Sequence, residues 1–335
     1  MIHRKLGAAG PEVSAIGLGC MGMSDLYGPA DRNESIATIH GALDAGITLL
    51  DTGDIYGMGH NEMLIREALA GSGRDGVIIS VKFGALRDPA GNWSGYDSRP
   101  LAVKNFLAYS LRRLGVDHID IYHPSRLDPN VPVEDTIGAI ADMVKAGYVR
   151  YVGLSEVGAE TIRRAHAVHP ISDLQIEYSL ISRGIETEIL PVCRELQIGI
   201  TAYGVLSRGL ISGHWSKARE GERDFRGNSP RFQGANLEAN LALVDKLQGI
   251  AGELGASVAQ VAIAWVAAQG SDIVPLVGAR RRDRLTEALG ALKVDLSPND
   301  LAALARALPA GAAAGERYPA ALLVHMDSEK GRSST

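Results

Sequence analysis

A chain of 335 residues with 46% hydrophobic and 22% charged residues can bury a large core, either as one α/β barrel or as two smaller domains. Its formal charge of -5 argues against a general nucleic-acid surface, and no apolar run approaches the ~18 residues that span a bilayer. Met1 to Gly7 lack the apolar core of a secretion signal, and two cysteines, Cys20 and Cys193, exclude a disulfide framework, so the expectation is a cytoplasmic protein without nucleic-acid or membrane partners.

In chain order, Ile2 to Val13 predict a short β-hairpin. Eight β-like runs follow: Ala15 to Leu18, Ile47 to Leu50, Val77 to Phe83, Ile119 to Tyr122, Val149 to Leu154, Leu174 to Ile176, Ile198 to Tyr203 and Ile273 to Leu276. Amphipathic helical segments separate them, among them Ser35 to Ala45, Val103 to Leu114, Val133 to Ala146, Ala159 to Val168, Glu188 to Leu196 and Leu237 to Leu254. Strands alternating with helices indicate a parallel sheet, and eight of them predict a closed (β/α)8 TIM barrel. No linker divides the chain, so residues 1–320 read as a single domain. After Leu308 the sequence turns Ala/Gly-rich, and residues 321–335 read as a mobile tail.

Side chains at the carboxyl ends of parallel barrel strands converge on one mouth, and Asp51, Tyr56, Lys82 and Ser125 all follow candidate strands there. A lysine paired with a carboxylate stays charged while buried, and an ammonium beside a phenol of reference pKa ~10 favours its phenolate. Asp51, Lys82 and Tyr56 therefore read as a relay that protonates an alkoxide. Spacing alone leaves open that Asp51 caps a helix, Tyr56 packs and Lys82 reaches to solvent.

Asp51-Thr52-Gly53-Asp54-Ile55-Tyr56-Gly57 followed by Asn61-Glu62 resembles the signature of the aldo-keto reductases. Val81-Lys82-Phe83 resembles that family's catalytic-lysine strand, Gly153-Leu154-Ser155 its nicotinamide-binding strand end, and Leu174 to Leu180 its Gln-x-Glu-Tyr segment. Tyr203 to Gly209 resembles its Tyr-Ser-Pro-Leu-Gly-Arg-Gly loop, and Gly278 to Arg284 its late cofactor loop. The resemblance implies Tyr56 as general acid tuned by Asp51 and Lys82, NADP(H) as cofactor, and a small-molecule carbonyl or alcohol as substrate. One departure stands out in Asp120 to Pro129: Ser125 occupies the place of the family's substrate-orienting histidine, while His123 lies two residues earlier and roughly 6 to 7 Å deeper along a regular strand. His123 is either a buried structural histidine or, if Pro124 distorts the strand, a group that still reaches the pocket.

Gly17 to Gly22 fits G-x-G-x-x-G, but a loop follows it rather than a helix, which rejects a doubly wound dinucleotide fold. In the barrel reading Gly19, Cys20 and Met21 bring backbone to the nicotinamide ribose; a plain tight turn is the alternative. The basic cluster after Gly278 opens a helix, where cations oppose the macrodipole unless an anion binds among them. The resemblance assigns Arg280 and Arg284 to the 2′-phosphate and adenine end and places Glu287 near the adenine. The resemblance also implies that Tyr203 stacks on the nicotinamide, that Ser155 and Gln175 bind its carboxamide, and that Gly204, Leu206, Ser207 and Gly209 line the cofactor; the residues alone read Tyr203, Ser155 and Gln175 as ordinary packing or capping. Glu156 stands where family members often have asparagine.

Leu206 to Asn236 interleaves Lys217, Arg219, Arg223, Arg226 and Arg231 with Trp215, Phe225 and Phe232, which suggests a lid over pyrophosphate and substrate, or else a solvated insertion. Trp93 and Tyr96 are candidates for a substrate wall. The histidines offer no more than two metal ligands together, so no metal is expected. The sequence thus points to NADPH-dependent reduction of an aldehyde or ketone, reversible, with an NADPH-binding sensor of weak activity as the alternative; it carries no signal of oligomeric state.

Overall fold

Two short strands, β1 (His3–Lys5) and β2 (Glu12–Ser14), pair antiparallel with His3 opposite Ser14, forming the hairpin expected at the amino terminus. The structure is a computed structural model that describes residues 1–24, 26–71, 74–216 and 225–330. The strand-helix alternation then begins with β3 (Gly17–Gly19), α1 (Arg32–Asp44), β4 (Leu49–Gly53), α2 (His60–Leu69) and β5 (Ile78–Phe83). An antiparallel hairpin, β6 (Ala85–Arg87) and β7 (Trp93–Tyr96), precedes α3 (Pro100–Leu114). The series continues through β8 (Ile119–Pro124), α4 (Val133–Lys145), β9 (Val149–Ser155), α5 (Ala159–Val168), β10 (Ile171–Glu177), α6 (Ile189–Glu195) and β11 (Gly199–Tyr203). It closes with α7 (Gly234–Glu253), α8 (Val258–Ala268), β12 (Ile273–Gly278), α9 (Arg282–Leu289), α10 (Pro298–Ala307) and α11 (Ala320–Leu323).

The eight central strands form a closed parallel barrel in chain order, β12 returning to β3 with Leu276 opposite Gly17. Local chemistry fixes several helix ends. The Asp31 side chain accepts from Glu34 N at 2.7 Å at the start of α1, Ser257 and Ser297 form capping boxes at α8 and α10, and Gly115 ends α3 at φ 68°, a conformation that costs an L side chain energy. Among the described residues no single helix is long and apolar enough to cross a membrane.

The barrel lumen is layered. At its amino end Leu6 and Val13 of the hairpin plug the opening and pack on Leu49, Ile121, Val274 and Leu276. Gly17 makes room for this layer, since a Cβ there would lie 2.6 Å from Leu276 Cδ2. Because alternate strand residues share a face, the next inward positions are Asp51, Lys82, His123, Asp173 and Gln175, all buried.

The segment assigned to a trailing tail is described as far as Lys330 and folds back on the barrel. Asp327 accepts from Gly158 N at 2.9 Å, and Ser328 N donates to Glu156 O at 3.2 Å. Residues 331–335 lie outside the described residues.

Candidate active site

β4 and β5 run side by side with Gly53 opposite Lys82, which brings the Asp51 carboxylate within reach of the lysine from the neighbouring strand. Lys82 Nζ donates to both Asp51 oxygens, at 2.6 and 2.8 Å, and both residues are almost fully buried. Oδ2 of Asp51 also accepts from Gln175 Nε2 at 2.7 Å and Ser80 Oγ at 3.2 Å, so the buried charge is held by three donors. Removing one partner of such a pair typically costs about 3–5 kcal/mol, because the other is left charged and alone.

Tyr56 sits beyond β4 with its ring centroid 5.3 Å from Lys82 Nζ. Gly53 lies between them: a Cβ there would stand 3.4 Å from both Tyr56 Cζ and the Lys82 carbonyl oxygen, a contact close to ordinary van der Waals distance. The phenol's pKa lies well above 10, raised first by burial and then by the Asp51 carboxylate, and the cation that opposes the rise is Arg126. This differs from the expectation of a phenolate favoured by Lys82. The ammonium is bonded to Asp51, and with burial and the Asp51 charge both favouring the neutral form the phenol keeps its proton.

Ser125 and His123 separate in depth. Ser125 N donates to Phe83 O at 2.8 Å, extending the β5–β8 ladder by one residue to the mouth. His123, opposite Lys82 in register, has no exposed surface; its Nε2 is 3.3 Å from both Asp173 carboxylate oxygens and its Nδ1 3.5 Å from Ser80 Oγ. Gly153 leaves space for the ring, since a Cβ there would stand 2.1 Å from Nε2. Burial alone would raise the Asp173 carboxyl, but His123 and the hydroxyls of Thr201 and Ser172 hold it below the usual range. Pro124 therefore does not lift His123 into the mouth.

At the end of β9, Glu156 adopts φ 53°, unusual for a residue with a Cβ, and is buried. Its carboxylate accepts from Tyr203 Oη at 2.6 Å, Ser328 Oγ at 2.7 Å and Arg317 at 2.5 Å, while Arg317 also reaches Glu177 at 3.2 Å. Burial would raise Glu156, yet the Arg317 charge pulls it far below the usual carboxylate range. Glu156 thus ties the carboxyl-terminal segment across the mouth. Tyr203 Oη also meets Tyr318 Oη at 2.9 Å, and Arg208 lies 4.1 Å over the Tyr318 ring. Gln175, expected at a nicotinamide carboxamide, gives its amide nitrogen to Asp51, which leaves its amide oxygen for a ligand. Ser155 Oγ lies 3.5 Å from Arg126 Nη1.

The remaining expected cofactor residues divide into three groups. Gly19 pairs with Asp51 in register, Cys20 N donates to Asp51 O at 2.9 Å, and Met21 opens the short turn that follows, so this backbone borders the Asp51 site; the Cys20 thiol is buried, and burial raises its pKa. Gly204, Ser207 and Gly209 have φ values of 66°, 46° and 93°, which curl the loop around Leu206. Gly278, Arg280, Arg284 and Glu287 surround the start of α9. A cleft of about 700 Å³ opens there, lined by Pro29, Asp31, Glu34 and Arg280 to Arg282. Arg280 Nη1 donates to the carbonyls of Tyr27, Gly28 and Pro29 at 2.8, 3.2 and 3.1 Å, and Arg284 pairs with Glu287 at 3.1 Å and with His214.

Within the expected lid, Lys217, Arg219 and Arg223 lie outside the described residues. Arg226 and Arg231 turn inward rather than to solvent. Arg226 lies 4.6 Å over Trp215 and 5.3 Å over Tyr27, and Arg231 donates to Ser182 Oγ at 2.7 Å. Across the mouth, Trp93 and Tyr96 meet His325 at centroid distances of 4.8 and 6.0 Å. Reasoning from sequence missed Arg126 and the Arg317 clasp; the one signal for the clasp was Glu156 standing where asparagine is common.

The model of the Aldo/keto reductase family matches residues 15–309. The chain belongs to the aldo/keto reductase family. A curated relative in Glycine max, a probable aldo-keto reductase, is 41% identical over 94% of this chain and 91% of its own length. Among solved structures, a glycerol dehydrogenase from Gluconobacter oxydans superposes with a TM-score of 0.84 at 27% identity, covering 99% of this chain and 98% of that one. A thermostable aldo-keto reductase solved with the inhibitor epalrestat gives 0.74 at 26%, covering 92% and 100%. As an aldo/keto reductase the protein is an oxidoreductase of small-molecule carbonyl compounds.

Proposed function

We propose that the protein reduces an aldehyde or ketone to the alcohol with NADPH, reversibly, in the cytoplasm, with Tyr56 as proton donor. The observation that carries this reading is the buried Asp51–Lys82 pair with Tyr56 packed beside it at the barrel mouth. A phenol whose pKa is raised by burial and by Asp51 is protonated across the physiological range, as an acid in the reductive direction must be. The same rise makes the oxidative direction harder, because there the phenolate must accept the proton; alcohol oxidation is expected to improve as pH increases.

The residues present fit a phosphorylated dinucleotide. Three arginines at the start of α9 line a cleft of about 700 Å³; Arg281 pairs with Asp283 and Arg282 with Glu34, and an anion held by Arg280 would also offset the helix dipole. Arg280 and Arg284 are assigned to the 2′-phosphate and adenine end, with Glu287 beside them and Gly278 leaving open space. Gly204, Leu206, Ser207, Gly209 and Lys217 are assigned to the pyrophosphate, Gly19, Cys20 and Met21 to the ribose, and Ser155, Gln175 and Tyr203 to the nicotinamide. When bound, the cofactor supplies the hydride. Asp51 holds Lys82 in place, Lys82 fixes the electrostatic surroundings of Tyr56, and Tyr56 gives its proton to the substrate oxygen. Trp93, Tyr96 and His325 form an aromatic wall suited to the apolar part of the substrate.

Fluorescence titration with NADPH and NADH, followed by absorbance assays against aldehydes, cyclic ketones, keto-sugars and hydroxyketones, tests the proposal. The expected result is tighter binding of the 2′-phosphorylated form and saturable consumption with at least one carbonyl class. Binding with complete inertness across the panel would instead make the protein a sensor.

A further inference from the structure

Carbonyl reduction builds negative charge on the substrate oxygen, and a partly water-excluded site accelerates it by holding a preorganised donor beside that oxygen. The buried cations of the site and its carboxyl-terminal clasp differ in what they have left to give. Lys82 donates to both oxygens of Asp51. Arg317 is bonded to Glu156, Glu177, Glu329 and Ser328, and Arg231 to Ser182, Ser207 and the Gly315 carbonyl. Arg208 is bonded to the Arg317 carbonyl and Glu177.

Arg126 is different. Its Nη1 donates to the Ser125 carbonyl at 2.6 Å and reaches Ser155 Oγ at 3.5 Å, a marginal contact. Among the described residues, its Nε and Nη2 donate to no protein acceptor, and it forms no ion pair within 4 Å. The Ser125 hydroxyl is also without a protein hydrogen bond among the described residues. The bond from Ser125 N to Phe83 O places Ser125 and Arg126 directly above the layer that holds Lys82 and His123. From there its charge acts on Tyr203, Glu156, Tyr318 and Tyr96 and on the Tyr56 phenol. Glu156 holds the opposing charge in this group, but its carboxylate is bonded to Arg317, Tyr203 and Ser328.

We propose that Arg126 is the second catalytic residue of the site, its unpaired guanidinium edge and the Ser125 hydroxyl binding and polarising the substrate oxygen opposite Tyr56. This rests on the reading of Tyr56 as proton donor. As a hydride adds to the carbonyl carbon, the C=O π pair moves onto oxygen, the Tyr56 O–H bond breaks and the alcohol O–H forms. Arg126 keeps its protons throughout and neutralises the charge while it exists. Solvent then returns a proton to Tyr56.

The test uses the full chain with NADPH and two probes, the neutral 4-nitrobenzaldehyde and the anionic 2-carboxybenzaldehyde. Arg126→Ala is expected to lose about 10²- to 10³-fold in kcat/KM on the neutral probe, mostly in kcat, with NADPH binding by fluorescence unchanged. Added guanidinium at sub-denaturing concentration should restore part of the rate, and Arg126→Lys should retain more than Arg126→Ala. Three results overturn the proposal: parental kcat on the neutral probe with KM raised only for the anionic one, which makes Arg126 a carboxylate anchor; loss of NADPH binding together with activity and no guanidinium rescue, which makes it structural; or a parent that reduces neither probe. Undiminished reduction by Tyr56→Phe is a separate outcome that removes the underlying acid assignment, whereas the Arg126 variants are scored against the parent.

Discussion

The two halves of the barrel lumen are built by the same strands and do opposite things. At the amino end Leu49, Ile121 and Leu276 pack on Leu6 and Val13 of the hairpin in an apolar cluster. Two residues further along β4 and β8, Asp51 and His123 face the same axis and meet Lys82, Ser80, Gln175 and Asp173. The lower layer is satisfied by shape, and apolar neighbours of similar volume can replace one another at modest cost. The upper layer is satisfied by pairing, so removing one group strands another. The strand period turns this contrast into an architecture: a shift of two residues keeps the side chain inward and changes its task.

Breaking the upper layer should have the largest effect. Lys82→Met leaves Asp51 charged and buried with only Ser80 and Gln175 as donors, and we expect both a loss of about 3–5 kcal/mol in chemical denaturation and a fall in kcat of about 10²- to 10⁴-fold. Retention of kcat in Lys82→Met would mean that the two layers do not differ in function. In the lower layer Leu276→Ala should cost about 2–5 kcal/mol in the same denaturation experiment and leave kcat of the folded enzyme near the parental value. A large kcat defect there would show that the plug also shapes the mouth.

The smallest expected effect compares Asp51 with Asp54, three residues on. Asp54 Oδ2 accepts from Gly84 N at 3.2 Å, while its Oδ1 is buried without a partner; burial, with Glu62 adding to it, raises its pKa to about 7. A carboxyl with a raised folded pKa holds its proton more tightly when folded. Its contribution to stability is complete below the unfolded value of 3.8 and is lost as pH rises through about 7. Stability measured as a function of pH should therefore decline over that window in the parent and decline less in Asp54→Asn. Parallel curves would contradict the raised pKa of this carboxyl.

The fold was legible because each barrel strand is an apolar run short enough to be told from a helix, and each of the eight runs overlaps a barrel strand. Asp51, Tyr56 and Lys82 were legible as a motif, and their closeness followed from strand adjacency. What the sequence hid were partners distant in the chain. Gln175 reaches Asp51 across 124 positions, and Arg317 reaches Glu156 across 161. Glu156 was noticed as a departure from asparagine, but its left-handed backbone and its bonds to the carboxyl-terminal segment exist only in three dimensions. Arg126 was hidden for another reason: it stands in a motif whose neighbouring position drew attention, and its proposed role rests on donors left without a protein acceptor among the described residues.

Proton delivery at this site depends on Tyr56. The direct measurement is stopped-flow oxidation of bound NADPH by a carbonyl the parent turns over, in parent and Tyr56→Phe, alongside fluorescence titration of the cofactor. The account predicts a fall of about 10²- to 10⁴-fold in the single-turnover rate with unchanged NADPH affinity. A Tyr56→Phe enzyme that oxidises its cofactor at the parental rate would contradict it.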